Sequence, residues 1–335
     1  MSARTVLAKA LHYSKLISLC RKLPRRNKLI IWTYHRVFPD APGNEALFDE
    51  GVFNVTAAQF DKQIKWFKRN TIIASEERLG ALIRSADIPS KPVVLITFDD
   101  GYRDNYTIAY PILKKLGVPA IFFISTHLVA SRKLGWWDIV AYLIKQSPRA
   151  FIDFQRMRFA LQGDRGPVVQ RIQHYLKMKK QDAMDTFITE LAAACEVGFP
   201  SLEVQDTQLL TWDQIRTMSH DAISIGSHGH THRVLTALAP ASQREEMKLS
   251  KAILERETGR QINSIAYPGG ESYHFSESTR KLAHECGFRF GFTANTGANM
   301  WRSIDALELK RVSGLGGLED VSAISSVTVL PEIFN

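Results

Sequence analysis

The sequence predicts an α/β fold built on a parallel sheet. Two apolar runs, Pro92–Phe98 (PVVLITF) and Ala120–Ile124 (AIFFI), flank a helix-patterned stretch at 105–116 that ends at Gly117 and Pro119. Strand, helix and strand in that order mark parallel pairing. Residues able to do chemistry also follow directly on apolar runs: His35, Asp99-Asp100, His228–His232 and Pro268-Gly269-Gly270. An open doubly wound sheet would share the alternation. Reactive residues at several C-terminal strand ends favour instead a barrel whose site lies on that face. No glycine-rich nucleotide loop follows any of the strands.

Lys28–His35 (KLIIWTYH) reads as the first buried strand. Phe60, Ile64 and Phe67 at helical spacing predict a helix over 57–70. After residue 130 the character changes. Residues 131–210 are rich in Lys, Gln and Arg and mostly helical in pattern, with two helices over 167–196. They read as a helical insertion on one loop of the sheet. Beyond Pro200 come a helix over Leu210–Met218 and a strand over Ala222–Ser227. Further strands are expected at 262–267, 288–293 and 307–313, with helices at 240–258 and 276–286. The expected organisation is a basic segment at 1–27, a barrel formed by 28–130 and 211–335, and the insertion 131–210 between them.

The chain has 335 residues, 45% of them hydrophobic and 23% charged, ordinary values for a globular protein. Cys20, Cys195 and Cys286 are too far apart for a metal spacing or a disulfide framework. The net charge of +9 is concentrated in residues 1–39, which contain nine Lys and Arg and no Asp or Glu. The remainder is close to neutral and carries no nucleic-acid-binding signature, so nucleic acid is not an expected partner. Residues 5–20 interleave Leu, Ile and Val with basic residues. They read either as an amphipathic helix for an anionic membrane surface or as a solvated or core-docked first helix. Lys9 and Lys15 interrupt the apolar run, which argues against a secretory signal or a span. The expectation is a cytoplasmic protein, peripheral on the inner membrane face.

Asp-Asp-Gly alone occurs in ordinary turns. Three histidines within five residues, at 228–232, could be a solvated loop. Together, at strand ends of one domain, the two stretches suggest a metal site. An ion that activates water needs imidazoles, a carboxylate and an open position. It also needs a base that is not itself a ligand. On a helical turn His228 and His232 would share a face and His230 would not; on an extended stretch His230 would point with His228. We adopt the helical geometry, which leaves His230 beside the site and not in it.

Thr97–Gly101 (TFDDG), His228–His232 (HGHTH) and Ala266–Gly270 (AYPGG) together resemble three motifs of the polysaccharide deacetylase family, also called the NodB-homology or carbohydrate esterase 4 family. Trp136-Trp137-Asp138 and Tyr34-His35-Arg36 resemble segments of members acting on bacterial surface glycans. The likeness spans residues 28–315 and implies a distorted (β/α) barrel with fewer than eight regular strands. It implies that Asp100, His228 and His232 bind a divalent metal, with Zn²⁺ the expected ion. It implies Asp99 as general base and the Gly269 N–H as oxyanion donor. Three departures stand out. Ala266 and Gly269 occupy positions where the family usually has Arg and Tyr, and Leu309–Val312 stands roughly where a Leu-x-His motif would supply a general acid. His35 is the first candidate for that acid and His274 the second. Arg311 is a candidate partner of Asp99 in place of the missing Arg.

The expected function is metal-dependent removal of N-acetyl groups from amino sugars of a polysaccharide or lipid-linked glycan, with release of acetate. An O-acetyl esterase using the same site is the alternative within the enzyme class. An inactive glycan-binding protein or a membrane-docked scaffold is the alternative outside it.

Overall fold

The computed structural model describes residues 28–38, 47–85, 89–179 and 183–313. The basic segment 1–27 lies outside the described residues. Seven parallel strands close on themselves: β1 (Lys28–Tyr34), β2 (Val93–Phe98), β3 (Ala120–Ile124), β4 (Ile223–Ser227), β5 (Ser264–Ala266), β6 (Phe290–Thr296) and β7 (Leu309–Ser313). Each pairs in parallel with the next from β1 to β6, β6 pairs with β7, and β7 pairs with β1. The ring is uneven. β1 and β2 share six registered pairs, whereas a single pair, Ile265 with Ser227, joins β5 to β4. A seven-stranded distorted barrel is therefore the fold.

Helices cover the outside. Phe60, Ile64 and Phe67 of helix Ala57–Asn70 pack against the outward residues Trp32, Tyr34 and Phe98. That helix begins with a reciprocal capping box between Thr56 and Gln59. The inward residues form a second layer, including Leu29, Ile31, Val93, Leu95, Phe123, Phe292 and Leu309. Successive residues alternate between the two clusters, as side chains on a closed sheet must.

The helix expected at 105–116 is divided, with a π turn over Asn105–Ala109 and an α-helix only over Tyr110–Leu116. Residues between 131 and 210 have their own apolar cluster, centred on Leu143, Ile152, Phe159, Ile172 and Leu191. Helices Trp136–Gln146, Gly166–Lys177 and Met184–Cys195 build it. A β-hairpin, Phe151–Phe154 with Met157–Ala160, corrects the helical expectation there. Its two-residue turn, Gln155-Arg156, has positive φ at both positions but lacks the Asn-Gly chemistry that announces such a turn.

Candidate active site at the C-terminal face of the barrel

Period-two alternation delivers the functional residues to one place. On β1 the inward face runs Leu29, Ile31, Thr33 and continues to His35. On β2 it runs Val93, Leu95, Thr97 and continues to Asp99. The Thr33 and Thr97 hydroxyls bond each other at 3.0 Å, one layer below the carboxylate. On β7, Leu309 is followed on the inward face by Arg311. Apolar residues thus fill the barrel and polar ones crown it. His35, Asp99, Asp100, His228, His232, Gly269 and Arg311 all line one cavity of about 290 Å³. Another cavity, at the opposite strand ends, has no histidine among its lining residues.

Asp100 Oδ1 lies 3.4 Å from His228 Nε2 and 3.3 Å from His232 Nε2, and the two Nε2 atoms are 3.2 Å apart. An ion with tetrahedral ligands at about 2.0–2.1 Å has ligand–ligand edges of about 3.3–3.4 Å. The triangle therefore fits a small divalent ion. Among the described residues this is the only such cluster of His, Cys, Asp and Glu. His228 Nδ1 is bonded to the Ala266 carbonyl at 2.8 Å, which directs Nε2 into the triangle. The His232 ring lies 4.2 Å from the Trp137 ring, centroid to centroid.

The loop geometry corrects the sequence expectation. Residues 228–232 are not a helical turn. Gly229 and His232 take left-handed backbone conformations, φ +73° and +58°, and this curl brings His228 and His232 together. Asp100 is also left-handed at φ +75°. Two of the three ligand candidates therefore hold strained backbone, of order 1–3 kcal/mol each. Glu246 clamps the histidine loop. One carboxylate oxygen accepts the His230 and Thr231 N–H groups, both at 2.8 Å, and the other accepts the Thr231 hydroxyl at 2.6 Å. His230 stands outside the triangle, with Nδ1 2.8 Å from the Thr126 hydroxyl.

Asp99 is held apart from Asp100. Both its oxygens are bonded by the Arg311 guanidinium at 2.8 Å, and Arg311 is itself buried. Burial alone would raise the Asp99 carboxyl, but Arg311 overcomes it and holds the group below the usual carboxylate range. Burial likewise opposes ionisation of Asp100, and the bonds to His228 and His232 hold it well below that range. Burial lowers His232, whereas the Asp99 and Asp100 carboxylates outweigh burial at His228 and raise it.

His35 Nε2 is 4.0 Å from Asp99 Oδ2, and its side chain is 26% exposed toward the cavity. His274 is fully enclosed, with Nδ1 accepting the Glu271 N–H at 3.3 Å, and does not line the cavity. Gly269 has φ +72°, and a Cβ there would lie 2.7 Å from His274 Nδ1, so a tyrosine at this position would collide. Ala266 contributes its carbonyl to His228 and leaves the ion pair with Asp99 to Arg311 of β7.

Glu246 leaves no signal in the sequence: it lies within helix Pro240–Thr258, with no characteristic spacing to the histidines. It also left unassigned the contact that joins the insertion to the site. The Trp137 indole N–H donates to the Tyr102 hydroxyl at 2.7 Å, and Tyr102 donates to the buried Asp138 carboxylate at 2.7 Å.

A seven-stranded barrel with paired carboxylates and histidines at its C-terminal mouth defines a hydrolase-like class of site. A profile of the family described as polysaccharide deacetylase matches residues 86–147 and 153–291, more than half of the chain. This protein belongs to the polysaccharide deacetylase family. "Putative polysaccharide deacetylase YxkH" of Bacillus subtilis (strain 168) is 26% identical over 299 residues, 88% of this chain and 76% of that one. A poly-beta-1,6-N-acetyl-D-glucosamine N-deacetylase of Staphylococcus aureus is 33% identical over 89 residues, 27% of this chain and 31% of that protein. Among solved structures, the Streptococcus pyogenes deacetylase PplD in complex with acetate superposes with a TM-score of 0.58 at 22% identity, covering 87% of this chain and 94% of that one. IcaB from Ammonifex degensii superposes at 0.57 with 18% identity, covering 90% and 97%.

Proposed function

We propose that this enzyme removes N-acetyl groups from amino sugars of a polysaccharide or lipid-linked glycan, with a divalent ion, Zn²⁺, held by Asp100, His228 and His232. The observation that carries the reading is the separation of two adjacent carboxylates: Asp100 within the histidine triangle, Asp99 beside it and locked by Arg311. Two imidazoles and one carboxylate at tetrahedral edge lengths suit Zn²⁺. Such an ion supplies a Lewis acid for the acetamide carbonyl and lowers the pKa of water.

The residues of the chain do the rest. Asp99, ionised at neutral pH, accepts a proton from the attacking water. Arg311 fixes the direction of that carboxylate. Gly269 lines the cavity, and its N–H is the donor that stabilises negative charge on the former carbonyl oxygen. As the C–N bond breaks, the nitrogen takes a proton from His35, the histidine nearest Asp99, and leaves as a free amine beside acetate. The proton accepted by Asp99 restores His35.

The test is acetate release from N-acetylglucosamine oligomers by the Zn²⁺-supplied protein. Release that disappears in Asp99→Asn supports the reading. Release from O-acetyl esters alone would replace it with the esterase. For residues 1–27 we propose contact with an anionic membrane surface at the cytoplasmic face, on the strength of their basic amphipathic pattern. Cell fractionation with and without these residues decides it, and a soluble full-length protein would contradict it.

A further inference from the structure

A second concavity of about 640 Å³ lies beside the catalytic one. Trp136 lines both, so the two adjoin at that side chain. The walls of the second are hydrocarbon: Leu134, Ile139, Met184, Ile188, Phe199 and Leu202. Phe199 and Leu202 are 51% and 67% exposed, an unusual state for side chains of this size so close together.

Three of the polar side chains lining this groove are already committed. Gln205 accepts the Leu134 N–H at 3.1 Å and donates to the Pro200 carbonyl at 2.8 Å. Ser201 caps its helix by accepting the Val204 N–H, and Thr231 donates to Glu246. A sugar hydroxyl laid against the six apolar side chains would be left without a partner, which is costly. A hydrocarbon chain would lose nothing and would remove apolar wall from water. Charge is confined to a few residues. Two cations, Lys133 and Arg233, line the groove; in sequence they stand three positions before Trp136 and directly after His232. Among the described residues, Asp185 is the one acidic residue lining the groove.

Resting on the deacetylase reading, we propose that this groove holds the hydrocarbon chain of a lipid-linked amino sugar. Its anionic linker, a phosphate ester, meets Lys133 and Arg233, and its N-acetyl sugar reaches Asp99 and Asp100 past Trp136. The insertion thus selects a lipid-borne substrate over a free polymer.

The experiment compares methyl and dodecyl glycosides of N-acetylglucosamine, below micellar concentration, with the Zn²⁺-supplied full chain. The ratio of kcat/KM, dodecyl over methyl, is expected to be at least about 100 in the wild type, the effect of burying roughly three to four methylenes of the chain. Leu202→Glu and Phe199→Glu, both at exposed positions, are each expected to lower that ratio about tenfold without changing Tm. A wild-type ratio near one, with the methyl glycoside still hydrolysed, overturns the groove and leaves the deacetylase standing. If neither glycoside is hydrolysed, binding of dodecyl phosphate is read by tryptophan fluorescence. Quenching that Leu202→Glu weakens supports the groove although the reaction reading fails, and absence of quenching overturns the groove as well.

Discussion

The crown of the barrel and the insertion beside it are built on different rules. Each crown residue continues an inward face that is apolar lower down: Ile31 then Thr33 then His35, Leu95 then Thr97 then Asp99, Leu309 then Arg311. Its position is dictated by seven paired strands. The insertion has a separate apolar centre and reaches the cavity through Trp136, Trp137, Gln173 and Lys177. Rigid strands fix the chemistry, and a separately packed cluster beside them shapes what can approach it.

If the crown carries the chemistry, its variants should lose rate with little change in fold. Asp99→Asn is expected to lower kcat by about 10²–10⁴-fold with metal content retained, measured by acetate release beside elemental analysis. Full activity in that variant would remove the base from the account.

The insertion should lose stability instead. Leu143→Ala empties a fully buried position in its centre and should cost about 2–5 kcal/mol, read by thermal unfolding. Zn²⁺ affinity should be unchanged. Loss of affinity in step with stability would show that the two regions are one unit.

Glu246 sharpens the comparison from the barrel side, since it touches the histidine loop and lines neither cavity. Glu246→Gln should weaken Zn²⁺ binding about 10–100-fold, the range for partners that orient ligands. Calorimetric titration with Zn²⁺ reads it, and Glu246→Asp should recover part of the loss.

The smallest effect concerns the joint between the regions. Burial raises the Asp138 carboxyl from 3.8 to about 7. The folded chain therefore holds a proton on Asp138 that the unfolded chain has released between those values. Stability from this group is full below pH 3.8 and falls as pH rises toward 7. Asp138→Asn should flatten that decline, measured by denaturant unfolding across the same window. An unchanged slope would remove Asp138 as its source.

Much of the barrel was legible because its strands are short, apolar and bounded by turns. The candidate ligands were legible because Asp-Asp-Gly and the histidine cluster sit where those runs stop. The curl at His232 was not, since left-handed backbone at a non-glycine residue leaves no trace in composition. Arg311 was readable only as a candidate: its bond to Asp99 joins residues 212 positions apart. The hairpin at 151–160 was hidden by a turn without glycine or asparagine.

The most direct test is the zinc content of the purified chain after Zn²⁺ loading, wild type beside His228→Ala, with acetate release followed in the same samples. The account predicts about one ion per wild-type chain, with the ion and acetate release lost together in the variant. A wild-type chain that takes up no ion, or a variant that keeps both ion and activity, would contradict it.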